Sequence, residues 1–152
     1  MVNIKDIGEL LGTATVAGGV NEEAIQEAEA ELGIRFPPSY RRFLSHFGAA
    51  FGSGYEIAGL FEADNDDDRP PLWVNVVTST LELRSDSHGE FPNEYIPFSG
   101  DGGDYEFYLD MSRSNAQGES PVIALDRGGH AVIIADDFLD FVRRSCDGSL
   151  SF

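Results

Sequence analysis

The stretch Asn21–Phe61, NEEAIQEAEAELGIRFPPSYRRFLSHFGAAFGSGYEIAGLF, decides the fold. Its first part is punctuated as a helix. Asn21 offers a side-chain oxygen to the free N–H groups of a first turn, and Glu22 and Glu23 place negative charge where the helix dipole favours it. Val20 and Ile25 have the spacing of a hydrophobic staple. Ile25, Ala28 and Leu32 line one side, while Glu27, Glu29 and Glu31 fall elsewhere, as a solvated face. Gly33 suits the left-handed residue that ends a helix. Pro37 and Pro38 then force an extended entry and open a second helix in its first turn. Tyr40, Phe43, Leu44 and Phe47 follow at i, i+3, i+4 and i+7, so this helix faces a core and leaves Arg41 and Arg42 exposed. Gly48 ends it, Gly52-Ser53-Gly54 make a turn, and Tyr55–Phe61 reads as a strand.

Ahead of this stretch, Ile4–Leu11 has the spacing of a short amphipathic helix, and Thr13–Val20 is a loop of small residues. Behind it, Glu62–Pro71 is an acidic loop that Pro70 and Pro71 keep from becoming a helix. Trp73–Val77 is apolar and β-branched, and Thr78 or Ser79 is placed to cap a short helix through Arg84. Ser85–Asn93 reads as loop. Tyr95–Phe98 is a strand whose Pro97 belongs at an edge or an end. After a Gly-Asp turn over Ser99–Asp104, the residues Tyr105, Phe107 and Leu109 alternate with Glu106, Tyr108 and Asp110, the pattern of a half-buried strand. Arg113–Ser120 is a polar loop. Val122–Leu125 and Ala131–Ala135 form a hairpin around Asp126–Gly129. Asp136 or Asp137 caps a last helix with Phe138, Phe141 and Val142 inward and Arg143-Arg144 in its final turns. The sum predicts one α+β domain over residues 1–152. Its mainly antiparallel sheet of about five or six strands packs against N-terminal helices and a C-terminal helix.

Charge is the informative total. The 152 residues carry 27 Asp and Glu against 10 Lys and Arg, a formal net charge of −17, where a magnitude of about 2–8 is usual for a small domain. Such a surface repels nucleic acid, and it attracts a basic partner and speeds the encounter. A single cysteine, Cys146, excludes an internal disulfide and fits a reducing compartment. The opening MVNIKDIGELLG lacks the apolar core of a secretory signal, and the longest apolar runs are too short to cross a bilayer. The expected location is the cytoplasm, with no membrane contact.

Familiar chemistry is tested and set aside. Asp64-x-Asp66-x-Asp68 copies the start of a calcium loop, but Arg69 stands at its glycine position and Asn75 at its bidentate glutamate. Gly100–Asp104 has the glycines of a phosphate loop without its lysine, and it leads into a strand. His46, His88 and His130 pair with no ligand at zinc spacing, and His46 reads as structural. Cys146 falls on the apolar side of the last helix, as a buried, unreactive thiol. Carboxylate pairs are uninformative where carboxylates are this abundant. The expectation is no catalytic residue, no metal and no cofactor.

Several short motifs recur in a fixed order. Leu32-Gly33, then Phe36-Pro37 with Tyr40, Phe43 and Leu44, lead into a glycine-containing turn and then Ile57, Gly59 and Leu60. Ile96-Pro97-Phe98, Gly103-Asp104, Asp110, and Asp136 or Asp137 with Phe138 and Phe141 follow. The series resembles the SUKH superfamily, the domains related to the yeast Smi and Knr cell-wall regulators. Phe36 departs from the family's usual leucine before proline, and Phe47 from the asparagine often found before Gly48. The resemblance implies the same α+β arrangement. It also implies protein binding, because many bacterial SUKH domains are immunity proteins that block a toxin domain, often a nuclease. The net charge agrees, since a nuclease presents a basic groove. The expected function is stoichiometric occlusion of a cognate basic toxin by a domain that is monomeric when free. A regulatory or scaffolding module of the same fold is the alternative, and an uncharacterised enzyme the third reading. Charge and expected exposure, not the family motifs, select the docking residues Tyr55, Glu56, Asp64, Asp66, Asp67, Asp68 and Trp73, with Asp101, Asp104 and Glu106 as a second patch. Replacing Asp66, Asp67 and Asp68 together by lysine is expected to slow association with a basic partner strongly without changing the melting curve. Unchanged stopped-flow association would remove this loop from the surface.

Overall fold

The computed structural model describes residues 8–9, 15–51, 56–62, 73–88 and 90–152. The expected helix at Ile4–Leu11 lies outside these except for residues 8 and 9, which are helical. Helix α1, Glu22–Leu32, begins where Asn21 Oδ1 accepts the Ala24 N–H at 2.9 Å and ends on a left-handed Gly33. Helix α2, Pro38–His46, buries Tyr40, Phe43 and Leu44, with Phe47 half-buried just beyond it. Pro37 has no side-chain group to cap α2. The carboxylate of Glu119 does so instead, accepting the Ser39 N–H at 3.1 Å and the Ser39 hydroxyl at 2.8 Å.

Two expectations on these helices are corrected. Arg41 is not exposed: its guanidinium donates to Glu29 at 2.9 and 3.1 Å and to Glu22 at 2.5 Å. Glu29 likewise leaves the solvated face, because its second oxygen also accepts the Phe36 N–H at 2.7 Å. The Arg41 hydrogen bond holds the Glu22 carboxyl below its ordinary range. The bend at Phe36-Pro37 brings the two helices together so that one guanidinium spans them. His46 is exposed, with its ring Nδ1 3.0 Å from the Arg42 carbonyl oxygen. Cys146 is half-buried against the core.

Among the described residues there are six strands, all in antiparallel ladders, divided between two sheets. Strand β1, Thr15–Val16, pairs with β2, Ala50–Phe51, where a loop was expected over Thr13–Val20. Helix α3, Val76–Asp86, starts earlier than expected. Asn75 caps it, accepting the Val77 and Thr78 N–H groups at 2.9 and 3.1 Å, so Val76 and Val77 enter the first turn despite their β-branching. The helix runs past Arg84, whose guanidinium donates to the Leu32 and Asn93 carbonyls, both at 2.9 Å. The main sheet follows in chain order: β3 (Tyr95–Gly100), β4 (Glu106–Asp110), β5 (Val122–Leu125) and β6 (Ala131–Ala135). Asp137 caps α4, Phe138–Asp147, through the Asp140 N–H at 2.8 Å. The result is an α+β fold with its sheet concentrated in the C-terminal half. Among the described residues no helix is long and apolar enough to cross a membrane.

The expected strand over Tyr55–Phe61 is replaced by single bridges. Tyr55 lies outside the described residues; Ile57 bridges Ala50, and Gly59 bridges Asn75. The segment threads between several neighbours and gives each one or two hydrogen bonds: Ala58 N–H to Phe98, Gly59 N–H to Val74, and Leu60 N–H to Gly48. Gly59 is obligatory here, because a Cβ would lie 1.7 Å from the Gly48 carbonyl oxygen. Strand β4 also departs from a half-buried strand. Tyr108 and Asp110 on its second face are 5% and 1% exposed. Asp110 accepts the Ser112 N–H and hydroxyl at 3.1 and 2.5 Å and pairs with Arg113 at 3.3 Å.

Tyr40 is the hub of the core. Its ring lies 5.2 Å from Phe36, 5.9 Å from Phe43, 6.3 Å from Phe98 and 5.1 Å from Phe138, three of the four contacts edge-on. That geometry suits aromatic quadrupoles. Its hydroxyl donates to the Ala58 carbonyl at 2.6 Å, and complete burial raises its pKa. Tyr40→Phe keeps the packing and strips the buried carbonyl of its donor. It should destabilise the fold by about 1–3 kcal/mol in urea unfolding; an unchanged midpoint would contradict the assignment of Tyr40 as a structural donor.

Candidate functional site

The ladder between β3 and β4 shifts between Pro97 and Ser99, leaving Phe98 as the extra residue of a bulge. Bulges re-aim a strand and frequently border sites. Here the Phe98 side chain stays in the core while its carbonyl turns to the strand's outer edge and accepts the Ala58 N–H at 2.8 Å. Ser99 next door donates its hydroxyl to the Glu56 carbonyl at 2.5 Å. Residues 56–58 are thereby fastened along the β3 edge. The Gly59–Val74 and Val76–Gly59 hydrogen bonds, both 2.9 Å, bring the start of α3 alongside.

Between these parts lies a cleft of about 260 Å³. Ala58, Val74, Pro97 and Phe98 give it apolar walls, and Glu56 and Glu106 give it carboxylates. Glu106 also borders a second depression of about 440 Å³, with Phe91, Asp104, Tyr108, Asp126 and Arg127. Val74 and Ser79 border a third, also about 440 Å³, with Phe61, Trp73, Thr78 and Glu82. The first depression shares Glu106 with the second and Val74 and Ser79 with the third, so the three lie side by side. The second has the Phe91 and Tyr108 rings in its wall, 5.4 Å apart, and Tyr95 packs against both at 5.7 and 6.1 Å.

The electrostatics separate acids tied into turns and helix ends from acids that border the cleft. Asp101 Oδ1 accepts the Gly103 and Tyr105 N–H groups at 2.7 and 3.1 Å, so this turn spends its donors on its own carboxylate. Asp126 Oδ1 does the same for Gly128 and His130, both at 2.9 Å, and the His130 N–H leads the effects that hold its carboxyl below the ordinary range. Asp104 and Arg127 pair at 3.3 Å across the two turns, both well exposed, a contact that contributes little to stability. Glu106 differs. Partial burial, reinforced by the charge of Asp101, raises its pKa. Burial and then Glu106 push the Tyr108 hydroxyl up to about 12.

Of the expected docking residues, Glu56, Trp73, Asp104 and Glu106 border the three depressions, and Asp101 is exposed on the adjoining turn. Tyr55, Asp64, Asp66, Asp67 and Asp68 lie outside the described residues. Sequence reasoning missed Val74, Phe91 and Tyr108 as members of this surface. Tyr108 carried a signal, since it alternates with the core positions of β4; Phe91 lay in a stretch that reads as loop. No histidine, cysteine or lysine lines the three depressions among the described residues. The surface presents negative charge over apolar and aromatic walls, an arrangement suited to binding cationic groups.

A sequence model of the SMI1/KNR4 family (SUKH-1) matches residues 19–144. The chain belongs to this family. The SUKH match starts just before α1 and ends within α4, so it includes the Tyr40 hub, the bulge at Phe98 and every described wall of the cleft. The SUKH motif residues Tyr40, Gly59 and Pro97-Phe98 fall on the hub, on the close backbone crossing and on the cleft floor. Comparison with curated proteins finds no match.

Glu106 yields a test by its sign. A carboxyl whose folded pKa lies above its unfolded value makes the fold less stable as pH rises through that interval. Glu106→Gln should therefore raise the melting temperature at neutral pH. The gain should close in acid, below the ordinary glutamate range, where both side chains are neutral. A lower melting temperature at neutral pH would show that Glu106 is a structural group.

Proposed function

We propose that this SUKH domain is an immunity protein that binds and occludes a cognate basic toxin domain, a nuclease in the simplest case. The observation that carries the reading is the set of adjoining depressions bordered by Glu56, Glu106, Asp104 and Trp73 on a chain with a net charge of −17. Carboxylates over aromatic walls offer a basic groove what a nucleic acid offers it, negative charge and flat rings. Aromatic side chains in such a patch are the residues that dominate binding energy at protein interfaces. The long-range field supports rapid capture: steering lifts association from about 10⁵–10⁶ M⁻¹s⁻¹ toward 10⁸–10⁹ M⁻¹s⁻¹ at low salt. Speed matters when the target kills the cell that houses both proteins. In this reading the domain is cytoplasmic, monomeric when free, needs no cofactor and acts by occupancy, not turnover.

The reading expects a toxin gene beside this one, and the test uses its product. Co-expression should protect cells, and the purified pair should form a one-to-one complex whose affinity falls steeply with ionic strength. If the toxin still kills and no complex forms at low salt, the regulatory or scaffolding reading of the fold replaces this one.

A further inference from the structure

We infer that the cleft between the start of α3 and the β3 edge takes one long cationic side chain, arginine or lysine, presented by a basic protein partner. The inference rests on the immunity reading for the partner's charge and adds to it the contact that anchors the complex.

Shape and polarity come first. Val74, Pro97 and Phe98 supply apolar wall, and Glu56 and Glu106 supply carboxylates in the same cavity of about 260 Å³. Arginine and lysine have this same division, an aliphatic stem and a charged head that stays near polar groups. Counter-charge comes second. Among the described residues the arginines are engaged elsewhere or lie away from the cleft: Arg41 with Glu22 and Glu29, Arg113 with Asp110, Arg127 with Asp104, Arg143 and Arg144 with Asp140. Arg84 serves two carbonyls, and Arg35 and Arg42 border a separate groove beside α2. Glu56 and Glu106 make no ion pair with any described residue. Two carboxylates therefore border an apolar-walled cavity with no cation from the described residues beside them.

Rigidity comes third. The Glu56 carbonyl is held by Ser99, Ala58 is held by Phe98 and Tyr40, and Gly59 is held by Val74. A cleft fixed before binding loses little freedom when it is filled. The raised pKa of Glu106 has the sign expected of a carboxylate crowded by protein and by Asp101, which an entering cation would reverse. The exposed glutamates of α1, Glu27 and Glu31, border none of these depressions and carry only screened surface charge.

The experiment is a backbone-amide NMR titration of the whole chain with N-acetyl-arginine methylamide and N-acetyl-lysine methylamide at low salt. N-acetyl-glutamine methylamide is the neutral control. The expected result is saturable shifts confined to Val74, Ser79, Ser99, Gly100 and Glu106 with at least one cation and none with the control. Glu106→Gln should weaken binding about tenfold, the scale of one hydrogen bond to a charged group. Ser79→Trp keeps both carboxylates and fills the cavity, and it should abolish the localised shifts. Shifts spread over Glu27 and Glu31 as well, undiminished affinity in a folded Glu106→Gln variant, or localised shifts that survive in a folded Ser79→Trp variant would overturn the inference. The probes are free blocked amino acids, so their failure leaves the immunity reading standing. Intact cation binding without protection from the toxin would sink only the immunity reading.

Discussion

The Tyr40 hydroxyl and the Ala58 backbone form the contact on which the rest of the structure depends. Ala58 is pinned on both sides: its carbonyl accepts from Tyr40 at 2.6 Å and its N–H donates to Phe98 at 2.8 Å. One residue thus joins the aromatic hub of α2 to the bulged edge of the main sheet. A buried carbonyl without this donor would lose about 1–3 kcal/mol, so the Tyr40 ring position and the path of residues 56–60 are set together. Gly59 and Gly48 then cross at a distance no side chain permits. The cleft exists because this segment is held beside β3 by isolated bonds and does not pair with it as a continuous strand.

The same frame explains how so acidic a chain stays folded. Many of its carboxylates are committed internally. Glu29 holds Arg41 and the Phe36 N–H, Glu119 caps α2, Asp110 caps the turn after β4, and Asp137 caps α4. Asp140 shows the balance on one group. Burial works to raise its pKa, but the Asp136 N–H, Arg144 and Arg143 outweigh it and hold the carboxyl below the ordinary range. Acids placed this way stabilise the native state at neutral pH. Glu56 and Glu106 have no such partner among the described residues, and Glu106 is shifted in the opposite direction. The contrast picks out a docking group more sharply than the total charge can.

The local parts of the fold were legible in the sequence because their determinants are local. Asn21, Gly33 and Asp137 cap the helices they were expected to cap, and the hairpin around Asp126–Gly129 forms. Determinants distant in sequence were not legible. Glu119 caps a helix 80 residues before it, and no spacing rule connects it to Ser39. Arg41 falls off the apolar stripe of α2 and reads as exposed until α1 folds back against it. Trp73–Val77 reads as an apolar, β-branched run ahead of a helix capped at Thr78 or Ser79, but the Asn75 oxygen draws Val76 and Val77 into the first turn. The candidate site was legible only in its charge. Glu56, Trp73, Asp104 and Glu106 came from acidity and expected exposure, whereas Val74, Phe91 and Tyr108 depend on a bulge and on cross-strand neighbours that sequence alone does not align.

In the proposed function, the depressions around Glu106, and not the acidic coat as a whole, meet the partner. Hydrogen exchange of this chain, free and in complex with a toxin domain that co-purifies with it, tests this directly. The account predicts slowed exchange concentrated in residues 56–62, 73–79 and 97–108, with the outer face of α1 unchanged. Slowed exchange on α1 or on the exposed β6 residues Val132 and Ile133, with the cleft segments unaltered, would contradict it.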